Sequence, residues 1–220
     1  MMRTGVRTAT VPEQAVREAS RADGTPPARA VAGSRALGLL LVGTGAAGLL
    51  ASWVITLDKF ALLKDPDHRP ACSLNPVVSC GSVMESDQAA VFGFPNPMLG
   101  LVAYAVVVCV GVSLLGAARF PRWYWLAFNA GTLGGVVFCT WLQFQSLYRI
   151  NALCLWCCLA WAATALMFWY VTSFTVRQGL LPVPGWLRTF FEDFTWTLPV
   201  MHLGGVAMVI LTRWWSFWTG

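Results

Sequence analysis

Five stretches of this chain contain no Lys, Arg, Asp or Glu: Ala36–Thr56, Pro97–Ala118, Trp123–Tyr148, Ile150–Val176 and Phe194–Thr212. Crossing about 30 Å of hydrocarbon takes roughly 20 apolar helical residues, so each stretch reads as a membrane span. None alternates in the manner of a barrel strand. Helices satisfy every backbone hydrogen bond within the segment, so the expected fold is all-α and integral to a membrane. Of the 220 residues, 57% are hydrophobic and 11% charged, against about 25% charged in a soluble domain. Trp53, Trp123, Trp141, Trp196 and Trp214 stand near span ends, where an interfacial belt places such rings, although most tryptophans here serve equally well as packing residues.

Arginine and lysine set the expected orientation. Arg3, Arg7, Arg17, Arg21, Arg29, Arg35, Arg119, Arg122, Arg177 and Arg188 fall on one side of the spans, and Lys59, Lys64, Arg69, Arg149 and Arg213 on the other. The positive-inside bias puts the N-terminus in the cytoplasm. No basic patch with interleaved aromatics argues for nucleic acid, and the positive net charge resides in these flanks. Residues 1–34, rich in Ala, Arg, Thr and Pro without apolar period, read as a disordered cytoplasmic arm. A cleaved signal peptide is not expected, because the charged region is too long for one and the apolar run that follows is long enough to stay in the bilayer. Residues 35–176 form the four-helix unit with an outward loop at 57–95. A cytoplasmic loop at 177–193 and a fifth span with a short tail at 194–220 complete the layout.

The chemistry sits in cysteines. Cys72 and Cys80 lie in the outward loop, and Cys154-Leu155-Trp156-Cys157 lies just inside the fourth span. Both sets face the side where disulfides are made and kept. A C-x-x-C pair on a helix brings the β-carbons to about 5–6 Å, near what a disulfide needs. A helix N-terminus favours the thiolate, and Asn151 is a candidate cap that would put Cys154 in the first turn. Cys158 also faces Cys154, so spacing alone leaves the partner open. C-x-x-C by itself also describes packing residues or metal ligands, but His68 is the one histidine near these cysteines and metal sites usually want four ligands. Cys109 and Cys139 lie deep in spans and read as small buried hydrophobes. Beyond Cys80, Val83, Met84, Ala90, Val91 and Phe92 suggest a short helix lying flat on the membrane, ended by Gly93.

The run from Cys72 to Met84, the segments Ser86-Asp87-Gln88-Ala89 and Phe92-Gly93-Phe94-Pro95-Asn96, and the later Cys154/Cys157 pair together resemble the vitamin K epoxide reductase family. The resemblance covers roughly Ala36 to Phe174 and is nearest to bacterial homologues that replace DsbB. It implies a four-helix bundle around a quinone pocket, with a fifth transmembrane helix beyond it, in the bacterial cytoplasmic membrane. It further implies that Cys72 and Cys80 take electrons from a DsbA-like thioredoxin-fold protein, here a separate chain, and that Cys80 passes them to Cys154. Cys157 would then reduce the quinone. Ser86 and Asn96 match pocket positions, and Asn96 could offer an amide N–H to a quinone carbonyl, though it also suits a turn between two prolines. Trp161 could stack near the ring or simply pack. The vertebrate enzymes carry a tyrosine at that position. Thirteen arginines against two lysines suggest a GC-rich bacterial source and hence menaquinone rather than ubiquinone. Two other readings stand beside this one: a stand-alone quinone or quinone-epoxide reductase using small dithiols, and a membrane carrier whose cysteines ligate a metal.

Overall fold

The computed structural model describes residues 30–65 and 67–219; most of the arm expected over residues 1–34 therefore lies outside the described residues. Its last residues do take part in the fold. Val31–Ala32 (β1) pairs antiparallel with Arg119–Phe120 (β2), and Ser34 accepts a hydrogen bond from Leu37 N–H to cap the first long helix.

Among the described residues four helices are long and apolar enough to cross a membrane: Arg35–Lys64 (α1), Asn96–Leu115 (α3), Arg122–Gln145 (α4, continued by a π turn over Ser146–Ile150) and Leu155–Arg177 (α5). Between α1 and α3 lie a short helix, Cys80–Glu85 (α2), and a 3-10 turn, Asp87–Ala90. After α5 come Gly185–Asp193 (α6), Thr197–Arg213 (α7) and Trp215–Thr219 (α8). The long helices are apolar on every side, with Leu39, Val102, Val137 and Val200 more than half exposed. That pattern marks a lipid-facing exterior.

Three boundaries differ from the sequence reading. First, α1 runs to Lys64, so the loop opens at Asp65 and not at Leu57. Asp58 and Lys59 carry charge but do not break a helix, and good helix formers follow them. The next residue in sequence is Pro66, and a residue before proline avoids the helical conformation; Asp65 is extended. Second, the flat helix is two pieces. Ser86 is extended between α2 and the 3-10 turn, Met84 is buried, and Val91 and Phe92 are exposed. Gly93 does take the left-handed conformation, at φ 81°. Third, the fifth span is bent. The helix α7 has 17 residues, about 26 Å at 1.5 Å per residue, and reaches span length only together with α6, from which it turns by 71°.

Close approach of α1 and α3 builds the bundle. These two helices share the most extensive interface, followed by α1 with α5 and α4 with α5. A β-carbon on Gly48 would run into the Tyr104 ring, and one on Gly111 would meet the α1 backbone at 2.8 Å. Small residues thus let the helices touch, which is where association in lipid finds its energy. The helices α3 and α4 share no comparable interface; a cavity lies between them instead.

Candidate functional site

The cysteine loop is held to the bundle by backbone pairing. Asn75 Oδ1 accepts from the Val77 and Val78 N–H groups at 3.0 and 2.7 Å, which folds a tight turn. Beyond that turn, Leu153 N–H donates to the Val77 carbonyl at 2.7 Å and Ser79 N–H to the Leu153 carbonyl at 3.0 Å. Val78 and Leu153 form a parallel bridge. Ser79 then caps α2, Gly81 N–H donates to Ser73 Oγ at 3.1 Å, and Lys59 Nζ on α1 donates to the Met84 carbonyl at 2.7 Å. A cation on that last carbonyl also suits the C-terminal end of the α2 dipole. The loop is therefore anchored on both sides of Cys80.

Asn151 is not the cap of α5. It sits in the left-handed region, at φ 57°, and turns the chain out of the π segment; Cys154 itself is the N-cap. Its sulfur accepts from Cys157 N–H at 3.4 Å. The C-x-x-C pair thus occupies the cap and the third helical position, so a first-turn amide points at the first thiol. Hydrogen bonding with the Cys157 thiol holds the Cys154 thiol below the ordinary cysteine range. The Cys157 and Trp156 amides act in the same direction, and burial and Asp58 oppose them.

Cys72 and Cys80 are joined as a disulfide. The sulfurs of Cys72, Cys80 and Cys154 all lie within 4.8 Å of one another, packed with Ile55, Leu62 and Met84. Cys80 and Cys154 are fully buried and Cys72 is 7% exposed. Cys72 is thus covered here as well. A disulfide offers no thiolates to a cation, so the trio in this state is an arrangement for sulfur exchange: a nucleophilic thiol beside the bond it would break.

Below the trio lies a cavity of about 760 Å³ between α3, α4 and α5. Cys157 lines it and Cys154 does not. The C-x-x-C pair therefore stands across a boundary, one sulfur toward the loop disulfide and the other toward the cavity. Ser86, Asn96 and Trp161 all line the same cavity. Ser86 Oγ donates to the Val83 carbonyl at 2.7 Å. Asn96 Nδ2 donates to the Gln88 carbonyl at 2.7 Å, and its Oδ1 accepts from Val91 N–H at 3.1 Å. Asn96 is thus a staple for the segment that roofs the cavity, and among the described residues its amide makes one donation. Trp161 is 5% exposed and packs with Val77, Leu147, Leu153 and Trp214, so its packing role is evident. Cys158 packs at the edge of that cluster and is not part of the cluster around the loop disulfide.

Sequence reasoning missed the polar floor of this cavity. Tyr104 Oη lies 2.7 Å from Thr164 Oγ1 and donates toward the Ala160 carbonyl at 3.0 Å, and Cys139 Sγ lies 3.7 Å from Thr164 Oγ1. A threonine and a tyrosine within apolar runs carry no signal of meeting across two helices.

The vitamin K epoxide reductase family model matches residues 39–172. No curated protein matches the chain. The matched segment holds all four long helices in whole or in large part, the loop disulfide, the C-x-x-C pair and most of the cavity wall. This multi-pass membrane protein belongs to the vitamin K epoxide reductase family of oxidoreductases.

Proposed function

We propose that the protein reoxidises an extracytoplasmic DsbA-like thioredoxin-fold protein and delivers the electrons to a membrane quinone. The observation that carries this reading is the division of labour in the C-x-x-C pair: Cys154 within 4.8 Å of the loop disulfide sulfurs, Cys157 on the wall of an apolar cavity. The relay has balanced steps. A partner thiolate attacks Cys72 and breaks the Cys72–Cys80 bond. The partner's second thiol then displaces Cys72, so the partner leaves oxidised and the loop holds two thiols. Cys80 as thiolate next attacks Cys154 of an oxidised Cys154–Cys157 pair, releasing Cys157 as thiolate. Cys72 attacks Cys80, reforming the loop disulfide and freeing Cys154. This leaves Cys72–Cys80 bonded with Cys154 and Cys157 as thiols, the state described above.

The cavity fits a quinone ring by its volume, its apolar walls and the few polar groups that meet there. A quinone bound there would accept two electrons and two protons. Cys157 faces that space, Cys154 closes the disulfide behind it, and the second Asn96 amide N–H can donate to a developing oxyanion. The distribution of Arg and Lys supports a cytoplasmic N-terminus in a bacterial cytoplasmic membrane, with the cysteines on the outer face.

The test is turnover of the purified protein with a reduced DsbA-like substrate, with and without added quinone. Oxidation only when quinone is present supports the reading; equal rates without quinone overturn it. A metal carrier would show no quinone dependence. A stand-alone reductase would turn over small dithiols and leave the protein substrate reduced.

A further inference from the structure

The last membrane helix lies outside the segment matched by the family model, yet its end grips the cysteine face. Arg213 closes α7. Its Nε donates to the Leu147 carbonyl at 3.1 Å and its Nη2 donates to Asn151 Oδ1. The guanidinium also lies 6.0 Å from the centre of the Tyr148 ring. The next residue, Trp214, is buried among Val77, Leu147, Leu153 and Trp161. One charged fork and one aromatic ring therefore hold the hinge that leads into Cys154.

What the hinge carries gives the grip its meaning. Asn151 is left-handed, a conformation that side chains other than glycine resist and asparagine tolerates. Two residues later Leu153 makes both backbone bonds to Val77 and Ser79. Those residues lie in the loop between Cys72 and Cys80, and Leu153 precedes Cys154. The direction in which the hinge leaves Asn151 thus decides where the loop disulfide sits over Cys154.

We propose that Arg213 is a positioning residue for the thiol relay. Its two-pronged contact with Leu147 and Asn151 sets the register of Leu153 against Val77 and Ser79, and so keeps Cys80 within reach of Cys154. The inference rests on the relay reading and adds the fifth helix to it. Arg213 touches no sulfur and acts through Asn151 and Leu153. A lysine lacks the planar fork and would restore the arrangement only in part.

Exchange inside the chain needs neither partner nor acceptor, which separates the two claims. In full-length Cys157→Ala protein with the loop disulfide intact, the Cys154 thiolate attacks Cys80. A Cys80–Cys154 bond forms and Cys72 leaves as thiolate, one disulfide replacing another. Acid quenching, alkylation and peptide mapping give the bridged fraction. Adding Arg213→Ala should lower that fraction at least threefold, because held geometry sets the effective concentration. Asn151→Gly keeps the left-handed backbone but removes the acceptor, and should do the same. Asn151→Asp keeps an acceptor and should stay at the parent level. If Arg213→Ala fails to fold, the Asn151 pair still decides. Parent-level bridging in Asn151→Gly, or an equal fall in Asn151→Asp, overturns the proposal. Absence of the bridge in the Cys157→Ala parent contradicts the relay itself and the clamp with it.

Discussion

The Cys154 sulfur lies within 4.8 Å of the Cys80 sulfur, and both side chains are fully buried. That contact is made by the bridge between Val78 and Leu153 and by the cap position of Cys154. It puts a nucleophile and a disulfide together in a buried pocket, where exchange depends on which thiol is ionised.

Replacing any one of Cys72, Cys80, Cys154 or Cys157 by Ser should abolish oxidation of a protein substrate, because each breaks a different transfer. Cys72→Ser and Cys80→Ser should still reduce quinone from a small membrane-permeant dithiol, which can reach Cys154 and Cys157 directly. Stopped-flow assays with the two reductants check this. Wild-type protein oxidation in Cys72→Ser would contradict the relay.

Cys158 offers the complementary control. It packs at the edge of the cluster that holds Trp161 and Leu153, and Cys154 has its backbone bond to Cys158 N–H regardless of the side chain. Cys158→Ala should leave turnover within about twofold and cost no more than about 1 kcal/mol of stability. Disulfide mapping of the oxidised enzyme that found mainly Cys154–Cys158 would reassign the pair.

Much of this was legible in the chain, and the reasons differ by element. The absence of charge marked four spans, since hydrocarbon tolerates little else; the fifth run reaches span length only when α6 is joined to α7. The ends of α1 and α7 were not fixed in the same way. Asp58 and Lys59 suggested a loop where the helix continues to Lys64, because charge signals exposure and says little about backbone conformation. The four cysteines were legible from type and spacing together. The cap was not: cysteine is rarely read as an N-cap, and Asn151 has the composition of one while turning left-handed. Contacts distant in sequence, Tyr104 with Thr164 and Arg213 with Asn151, leave no local trace at all.

The Cys154 thiol should titrate below the ordinary cysteine range, chiefly because it is hydrogen-bonded with the Cys157 thiol. Its thiolate, and with it the exchange rate, should therefore appear at lower pH than for a free cysteine. Cys157→Ala removes the largest cause, so the midpoint should move up in pH. The pH profile of Cys154 modification by a small thiol reagent measures this, and an unmoved or lowered midpoint would contradict it.

Asn96 has two roles that one pair of variants separates. Asn96→Asp keeps an oxygen to accept from Val91 N–H and loses both N–H donors, whereas Asn96→Ala loses the staple as well. Both should slow quinone reduction, by about tenfold or more if the donor serves the developing oxyanion. Asn96→Ala should also free Val91 N–H, visible as faster hydrogen exchange there, whereas Asn96→Asp should keep that bond.

Gly48 is the tightest point between α1 and the cavity floor. Gly48→Ala would drive a methyl into the Tyr104 ring, and Tyr104 would leave Thr164 and the Ala160 carbonyl. The expected cost is about 1–3 kcal/mol, read as a lowered unfolding midpoint in detergent. Unchanged stability would mean that α1 and α3 separate more easily than their packing implies.

The relay is tested most directly by Cys157→Ala, which removes the thiol that resolves the bridge between loop and helix. Non-reducing digestion of that protein should give one cross-linked peptide pair joining Cys80 to Cys154. A pair joining Cys72 to Cys154 would reverse the order of the shuttle, and no cross-link at all would contradict the relay.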